Sequence, residues 1–169
     1  AAQVLATVHA DSGGADGFVS VEVAPSLARD TEGTIGAARD LVARIDVPNL
    51  MVKIPATAEG LPAIETMVRE GANVNITLIF GLERYEEVIE AYLSGLEARE
   101  GDLSSISSVA SFFVSRVDTE VDARLDKIGT PEADALKGRG AVAQAQAAYG
   151  VFLERFSGPR WEALAARGA

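Results

Sequence analysis

The sequence predicts an α/β fold in which about four strand–helix units follow one another along the chain. Two observations carry this. Four short segments rich in Val, Ile and Phe are bounded by Gly, Pro, Asn or Ser, as buried strands are. The gaps between them hold apolar residues at spacings of three and four, the period of an amphipathic helix. Strands alternating with helices imply a parallel sheet with right-handed crossovers.

Residues 1–10 read as an opening helix. The first strand, 18–23 (FVSVEV), precedes a helix whose apolar face is Ile35, Ala38, Leu41, Val42 and Ile45. The second, 50–55 (LMVKIP), precedes one built on Ala63, Ile64, Met67 and Val68. The third, 74–80 (VNITLIF), leads into the clearest stripe, Leu82, Tyr85, Val88, Ile89, Tyr92, Leu93 and Leu96. The fourth, 106–114 (ISSVASFFV), is followed by helices over 117–128 and 140–156, then a short one opened by Ser157-Gly158-Pro159. Nothing marks a linker, so residues 1–169 read as one domain. A closed (β/α)8 barrel needs eight strands and about 250 residues. Four strands therefore read as a partial barrel cut at both ends, or as an open four-stranded α/β unit.

Composition narrows the function. The net charge of -10 argues against a nucleic-acid or membrane-surface role, which needs a basic face. A few local Arg or Lys residues still suffice to hold an anionic small molecule. With no cysteine, disulfides, thiolate chemistry and Cys-type zinc sites are excluded. This fits a cytoplasmic protein. His9 is the only histidine, which leaves little for a Ser-His-Asp mechanism or a His-rich metal site, and it reads as a surface residue.

Polar residues inside the predicted strands are the functional signal, because strands of a parallel sheet are expected to be buried on both faces. Glu22, Lys53, Asn75, Thr77, Ser107, Ser108 and Ser111 lie within them, and Arg116 follows the last. In a parallel α/β protein, sites form at the carboxyl ends of the strands. Lys53, flanked by Met51, Val52, Ile54 and Pro55, is expected to be desolvated, which favours the free amine that attacks carbonyls. The same pattern equally fits a structural ion pair with Glu22. Glu22 reads as a general acid or base acting through water, or as a satisfied polar residue near a loop. Asn75 and Thr77 share a strand face, though Asn75 also suits a turn or cap. Ser111 and Arg116 are candidates for phosphate, while Arg116 beside Asp118 also suits a solvated surface pair. Tyr85 and Tyr92 read as core.

The strings VSVEVAP, NLMVKIPAT, NVNITLIF and SVASFFVSRVD, in this order and spacing, resemble the central part of transaldolases of the long bacterial type. The resemblance implies a class I, Schiff-base enzyme of the (β/α)8 TIM-barrel family in the pentose phosphate pathway. It moves a dihydroxyacetone unit from a ketose phosphate to an aldose phosphate, without metal or organic cofactor. By position in the motifs, it implies the Schiff-base lysine at Lys53 and the glutamate that positions a catalytic water at Glu22. The fifth-strand asparagine and threonine fall on Asn75 and Thr77, and the sixth-strand serine, aromatic and phosphate-binding arginine on Ser111, Phe113 and Arg116. The family's first-strand aspartate, second-strand asparagine and second phosphate arginine match nothing in this sequence, which again leads one to expect part of a barrel. The related fructose 6-phosphate aldolase reaction uses the same lysine, but the length of 83–102 favours transaldolase. The expected partners are sugar phosphates, with a second copy of the chain or a complementing barrel half. A non-catalytic half-barrel that binds sugar phosphate or self-associates, and an inert folding fragment, are the competing readings.

Overall fold

A computed structural model of the chain describes residues 2–169. Four strands, β1 (Val19–Glu22), β2 (Leu50–Pro55), β3 (Val74–Ile79) and β4 (Ser108–Phe112), form one parallel sheet in the order β1-β2-β3-β4. Helices α1 (Ala2–Asp11), α2 (Thr31–Ile45), α3 (Gly60–Glu70) and α4 (Leu82–Ala98) precede or link the strands. After β4 come α5 (Ser115–Ile128), α6 (Pro131–Asp134), α7 (Gly140–Arg155) and α8 (Gly158–Ala165). The four expected strands are all present, β2 with its expected limits and the others shorter by one to four residues. The one-turn helix α6 and the 3-10 turn Pro25–Leu27 were not legible from periodicity, because neither is long enough to show any. Ala1, expected in the opening helix, lies outside the described residues.

The core forms between the sheet and helices α2, α3 and α4. Val52, Ile54, Val74 and Ile76 alternate along β2 and β3 toward the helices and are fully or almost fully buried. Ile64, Met67, Val68, Val88, Leu93 and Leu96 meet them from α3 and α4. Each such side chain contributes roughly 1.5–3 kcal/mol by leaving water. Tyr85 is buried and Tyr92 packs half-buried against this cluster, as their place in the α4 stripe predicts. Local signals set the helix ends. Asp30 caps α2 by accepting from the Gly33 amide at 2.9 Å. Gly71 ends α3 with φ 92°, a left-handed conformation that glycine adopts without strain.

Burial on both sheet faces holds for β2 only. In β1, Val19 and Val21 are half-buried while Ser20 and Glu22 are exposed, and in β4 both Val109 and Ala110 are exposed. The reason is geometric. The linking helices cover one face of the sheet, and β1 and β4 each have a single neighbouring strand. The uncovered face is the one that carries the polar residues. His9 is also less exposed than expected, since its ring packs edge-on to Phe18 at 4.9 Å.

Arg160 of α8 clamps α4 by donating to Glu90 at 2.7 and 2.8 Å and to Glu97 at 2.7 and 2.9 Å. These bonds hold both carboxyls below their ordinary value of 4.5. A group depressed by folding stabilises the native state above its unfolded pKa and loses that contribution as pH falls through the lower folded value. Acidification below about pH 4.5 is therefore expected to lower the melting temperature more in the wild type than in Arg160→Met. The side chains are 38–47% exposed, so solvent screening limits the effect to roughly 1 kcal/mol. Thermal melts of both proteins from pH 6 to 3 test this.

Candidate active site

The register brings the polar residues of separate strands into rows on the uncovered face. Glu22, Lys53 and Asn75 are direct partners across β1, β2 and β3, and Pro55 with Thr77 forms the next row toward the carboxyl ends. Side chains two apart on a strand share a face, so Ser20 joins Glu22, and Thr77 joins Asn75. Asn75 donates from Nδ2 to the Ser20 hydroxyl at 3.0 Å and accepts the Ser111 hydroxyl on Oδ1 at 2.7 Å. A hydrogen-bonded line thus crosses the sheet from β4 to β1. Asn75 is part of this line and neither caps a helix nor makes a turn.

Lys53 lies beside that line. Its Nζ is 3.5 Å from Glu22 Oε2, with side chains 29% and 46% exposed respectively. The lysine is only partly desolvated, although Met51 on the same face is 2% exposed. At this distance and exposure the pair is loose, worth at most about 1 kcal/mol to the fold. Thr77 is 2% exposed one row above. The loops around the carboxyl ends are tied down. Thr57 donates to the Ala28 carbonyl at 2.6 Å and Thr31 to the Glu59 carbonyl at 2.7 Å, joining the loops that follow β1 and β2.

At the far end of the face, Phe113, Ser111 and Arg116 line a shallow pocket of about 330 Å³. Arg116 opens α5 and places its guanidinium carbon 4.7 Å from the centre of the Phe113 ring. The surface pairing with Asp118 does not describe it: Asp118 Oδ1 instead accepts the Ala141 amide at 2.9 Å. Phe113 also stacks on Phe80, with ring centres 4.9 Å apart and planes at 22°.

Phe80 reaches this face through a bulge. The pairing of β3 with β4 runs Ile76 to Ala110 and then Ile79 to Phe112, so three steps on β3 oppose two on β4. The extra residue falls in the segment containing Leu78, which has φ 61°. A branched apolar residue in this left-handed region costs roughly 1–2 kcal/mol. Without the bulge, Phe80 would continue the even-numbered side of β3 with Val74 and Ile76, toward the helices. Neither the bulge nor the roles of Phe80 and Ser20 was foreseen. Ser20 could have been found from its spacing of two from Glu22, whereas an extra residue inside VNITLIF leaves no periodic trace.

A larger cavity, about 710 Å³, lies elsewhere, between β4, α4, α7 and α8. Its lining includes Tyr85, Tyr92, Phe112, Phe152 and Trp161 and holds no charged side chain, so it offers none of the chemistry gathered around Lys53.

A family model described as transaldolase/fructose-6-phosphate aldolase matches residues 1–163. The chain belongs to this family. It is 59% identical over 172 aligned residues to the transaldolase of Thermobifida fusca (strain YX), an alignment covering 100% of this chain and 47% of that protein. It is 57% identical to the transaldolase of Frankia alni (strain DSM 45986 / CECT 9034 / ACN14a), over 100% of this chain and 46% of the relative. Transaldolase 1 of Streptomyces avermitilis is 56% identical with the same coverage. The chain spans about half the length of the curated relatives it matches. Family membership and the four-stranded parallel sheet together place the fold in the (β/α) barrel class, with four of its strands in this chain. Among the described residues no helix is long and apolar enough to cross a membrane.

Proposed function

We propose that this chain carries the Schiff-base centre of a transaldolase, with Lys53 as the nucleophile toward a ketose phosphate. The observation that supports it best is the convergence of Lys53, Glu22, Asn75, Thr77 and Ser111, from four strands, on one face of the sheet. The unprotonated Lys53 Nζ adds to the C2 carbonyl of the ketose, giving a carbinolamine. A proton passes to the new hydroxyl, which leaves as water, and the iminium forms. Glu22, with Oε2 3.5 Å from Nζ, moves these protons, relaying them through a water held beside the carbinolamine hydroxyl. A base from outside these four strands takes the C4 hydroxyl proton, the C3–C4 bond breaks and an aldose phosphate leaves. The electron pair passes into the iminium and leaves a dihydroxyacetone enamine on Lys53. Attack of that enamine on a second aldose phosphate, then hydrolysis, completes the transfer.

Asn75, Thr77 and Ser111 hold the hydroxyls of the three-carbon unit, and Arg116, beside Phe113, binds the phosphate. The reading includes a cytoplasmic place in the pentose phosphate pathway and needs neither metal nor organic cofactor. Its test is incubation with fructose 6-phosphate, reduction with borohydride and mass spectrometry of the peptides. The expected adduct is on Lys53. A folded chain that yields none, or yields it on other lysines, would overturn the assignment.

A second reading draws on the Lys53–Glu22 ion pair and on the exposure of Val109 and Ala110 along the β4 edge. It is a non-catalytic half-barrel that binds sugar phosphate or pairs with a second copy or a complementing half. It predicts binding or self-association, seen by light scattering, without any covalent adduct.

A further inference from the structure

The left-handed bulge at Leu78 has no role in the core, since Leu78 itself is 38% exposed. Backbone strain of this kind persists where the surroundings hold it, and it concentrates at functional sites, as bulges do. Its consequence here is specific: it turns Phe80 onto the face that carries Lys53 and Ser111. Phe80 then lies against Phe113, and Phe113 lies against the Arg116 guanidinium. The Phe80 carbonyl is fixed from a third direction, accepting from Gln144 Nε2 of α7 at 2.7 Å. Phe80 makes no contact that the core needs, being 41% exposed.

We propose that Phe80 is a positioning residue for Arg116, and hence for recognition of the substrate phosphate. It acts through Phe113 and is itself held by the Leu78 bulge and by Gln144. The long arginine side chain at a helix start has many rotamers, and most must be given up when it grips a phosphate. A ring that is itself braced offers the guanidinium one favoured place, so less order is lost on binding. Bracing Phe113 from one side by Phe80 limits its side-chain rotation. Gln144 keeps the Phe80 backbone from relaxing out of the bulge. The bulge and the tether come from different parts of the sequence, β3 and α7, and converge on the same residue. This inference rests on the proposed role of Arg116 as the phosphate ligand.

The test uses the full chain, its Phe80→Leu and Phe80→Tyr variants, and Gln144→Met. The first measurement is the NMR signals of the Arg116 side chain, which the Phe113 ring current displaces in the wild type. Phe80→Leu is expected to move them toward the values of a free arginine, Gln144→Met to move them part of the way, and Phe80→Tyr to leave them in place. The second is titration with inorganic phosphate, followed at the backbone amides of Ser115 and Arg116. Its affinity is expected to fall roughly two- to fivefold in Phe80→Leu, the scale of an exposed cation–ring contact, and to recover in Phe80→Tyr. Unchanged Arg116 signals and phosphate affinity in a folded Phe80→Leu would overturn the positioning role and leave the Schiff-base reading intact. Should Phe80→Leu fail to fold, Gln144→Met decides on the same two measurements. A wild-type chain whose Arg116 amide ignores phosphate would overturn the inference together with the phosphate role of Arg116. Trapping of ketose on Lys53 in the wild type reports separately on the Schiff base.

Discussion

Lys53→Met is expected to reduce borohydride-trapped ketose to background while leaving the chain folded and about as stable as before. The two halves of this result separate the chemical from the structural role of the lysine. Methionine keeps the length and apolar stem of the side chain but removes the amine, so no carbinolamine forms. If Lys53 served only as a partner for Glu22, its loss would appear in stability alone. The pair at 3.5 Å, with side chains 29% and 46% exposed, has little stability to lose, at most about 1 kcal/mol. A melting curve near the wild type beside a lost adduct is therefore the signature of a nucleophile.

Glu22→Gln refines the same experiment. The amide keeps the shape of the carboxylate and still accepts a hydrogen bond, but it no longer takes up a proton. General acid–base groups contribute roughly 10²–10⁴-fold to rate. The rate of adduct formation is expected to fall in this variant while the adduct, once formed, stays on Lys53. An unchanged rate, measured by quenching with borohydride at successive times, would make Glu22 a bystander.

Much of this arrangement is legible in the sequence, and the reason is physical. Lys53 and Glu22 stood out because a charged residue inside MVKIP or VSVEV contradicts the apolar demand of a parallel strand. Asn75 and Thr77 followed from the alternation of side chains. Their contacts did not follow. That Asn75 would bridge Ser20 and Ser111 depends on the register of all four strands, and one step of slip would have pointed it to the helices. Desolvation of Lys53 was inferred from its sequence neighbours. Of those neighbours, Val52 and Ile54 face the helices, while Met51 and Pro55 share the lysine's face and are buried, yet the Lys53 side chain itself is 29% exposed. The bulge at Leu78 was hidden for the opposite reason: VNITLIF reads as an unbroken apolar strand, and an inserted residue changes its facing without changing its composition. Arg116 and Phe113 were both named from the sequence, but the packing of one on the other, and Phe80 behind them, required the fold.

The same substitution, glycine to alanine inside a helix, is expected to act with opposite sign at two positions. Intrinsic propensity favours alanine by about 1 kcal/mol at an exposed helix site. Gly36 in α2 is such a site, exposed and with no atom within 4 Å of where a Cβ would stand. Gly36→Ala is expected to raise the melting temperature by roughly 2–4 °C for a domain of this size. Gly95 in α4 has the same backbone and a different neighbourhood. A Cβ there would stand 2.8 Å from the Glu65 carbonyl oxygen and 2.8 Å from Val68 Cβ. Both belong to α3, the helix most extensively packed against α4. Neither is the loose end of a side chain, so the helices themselves have to part. Overpacking of this kind costs typically 1–3 kcal/mol and here outweighs the gain in propensity. The strain also reaches the sheet, because Val68 and Leu96 beside this contact are core residues with no exposed surface. Gly95→Ala is therefore expected to melt several degrees below the wild type, and Gly95→Val further still. Thermal melts of the three variants decide the matter. A Gly95→Ala protein as stable as Gly36→Ala would mean that α3 and α4 do not approach as closely in solution as their shared glycine allows.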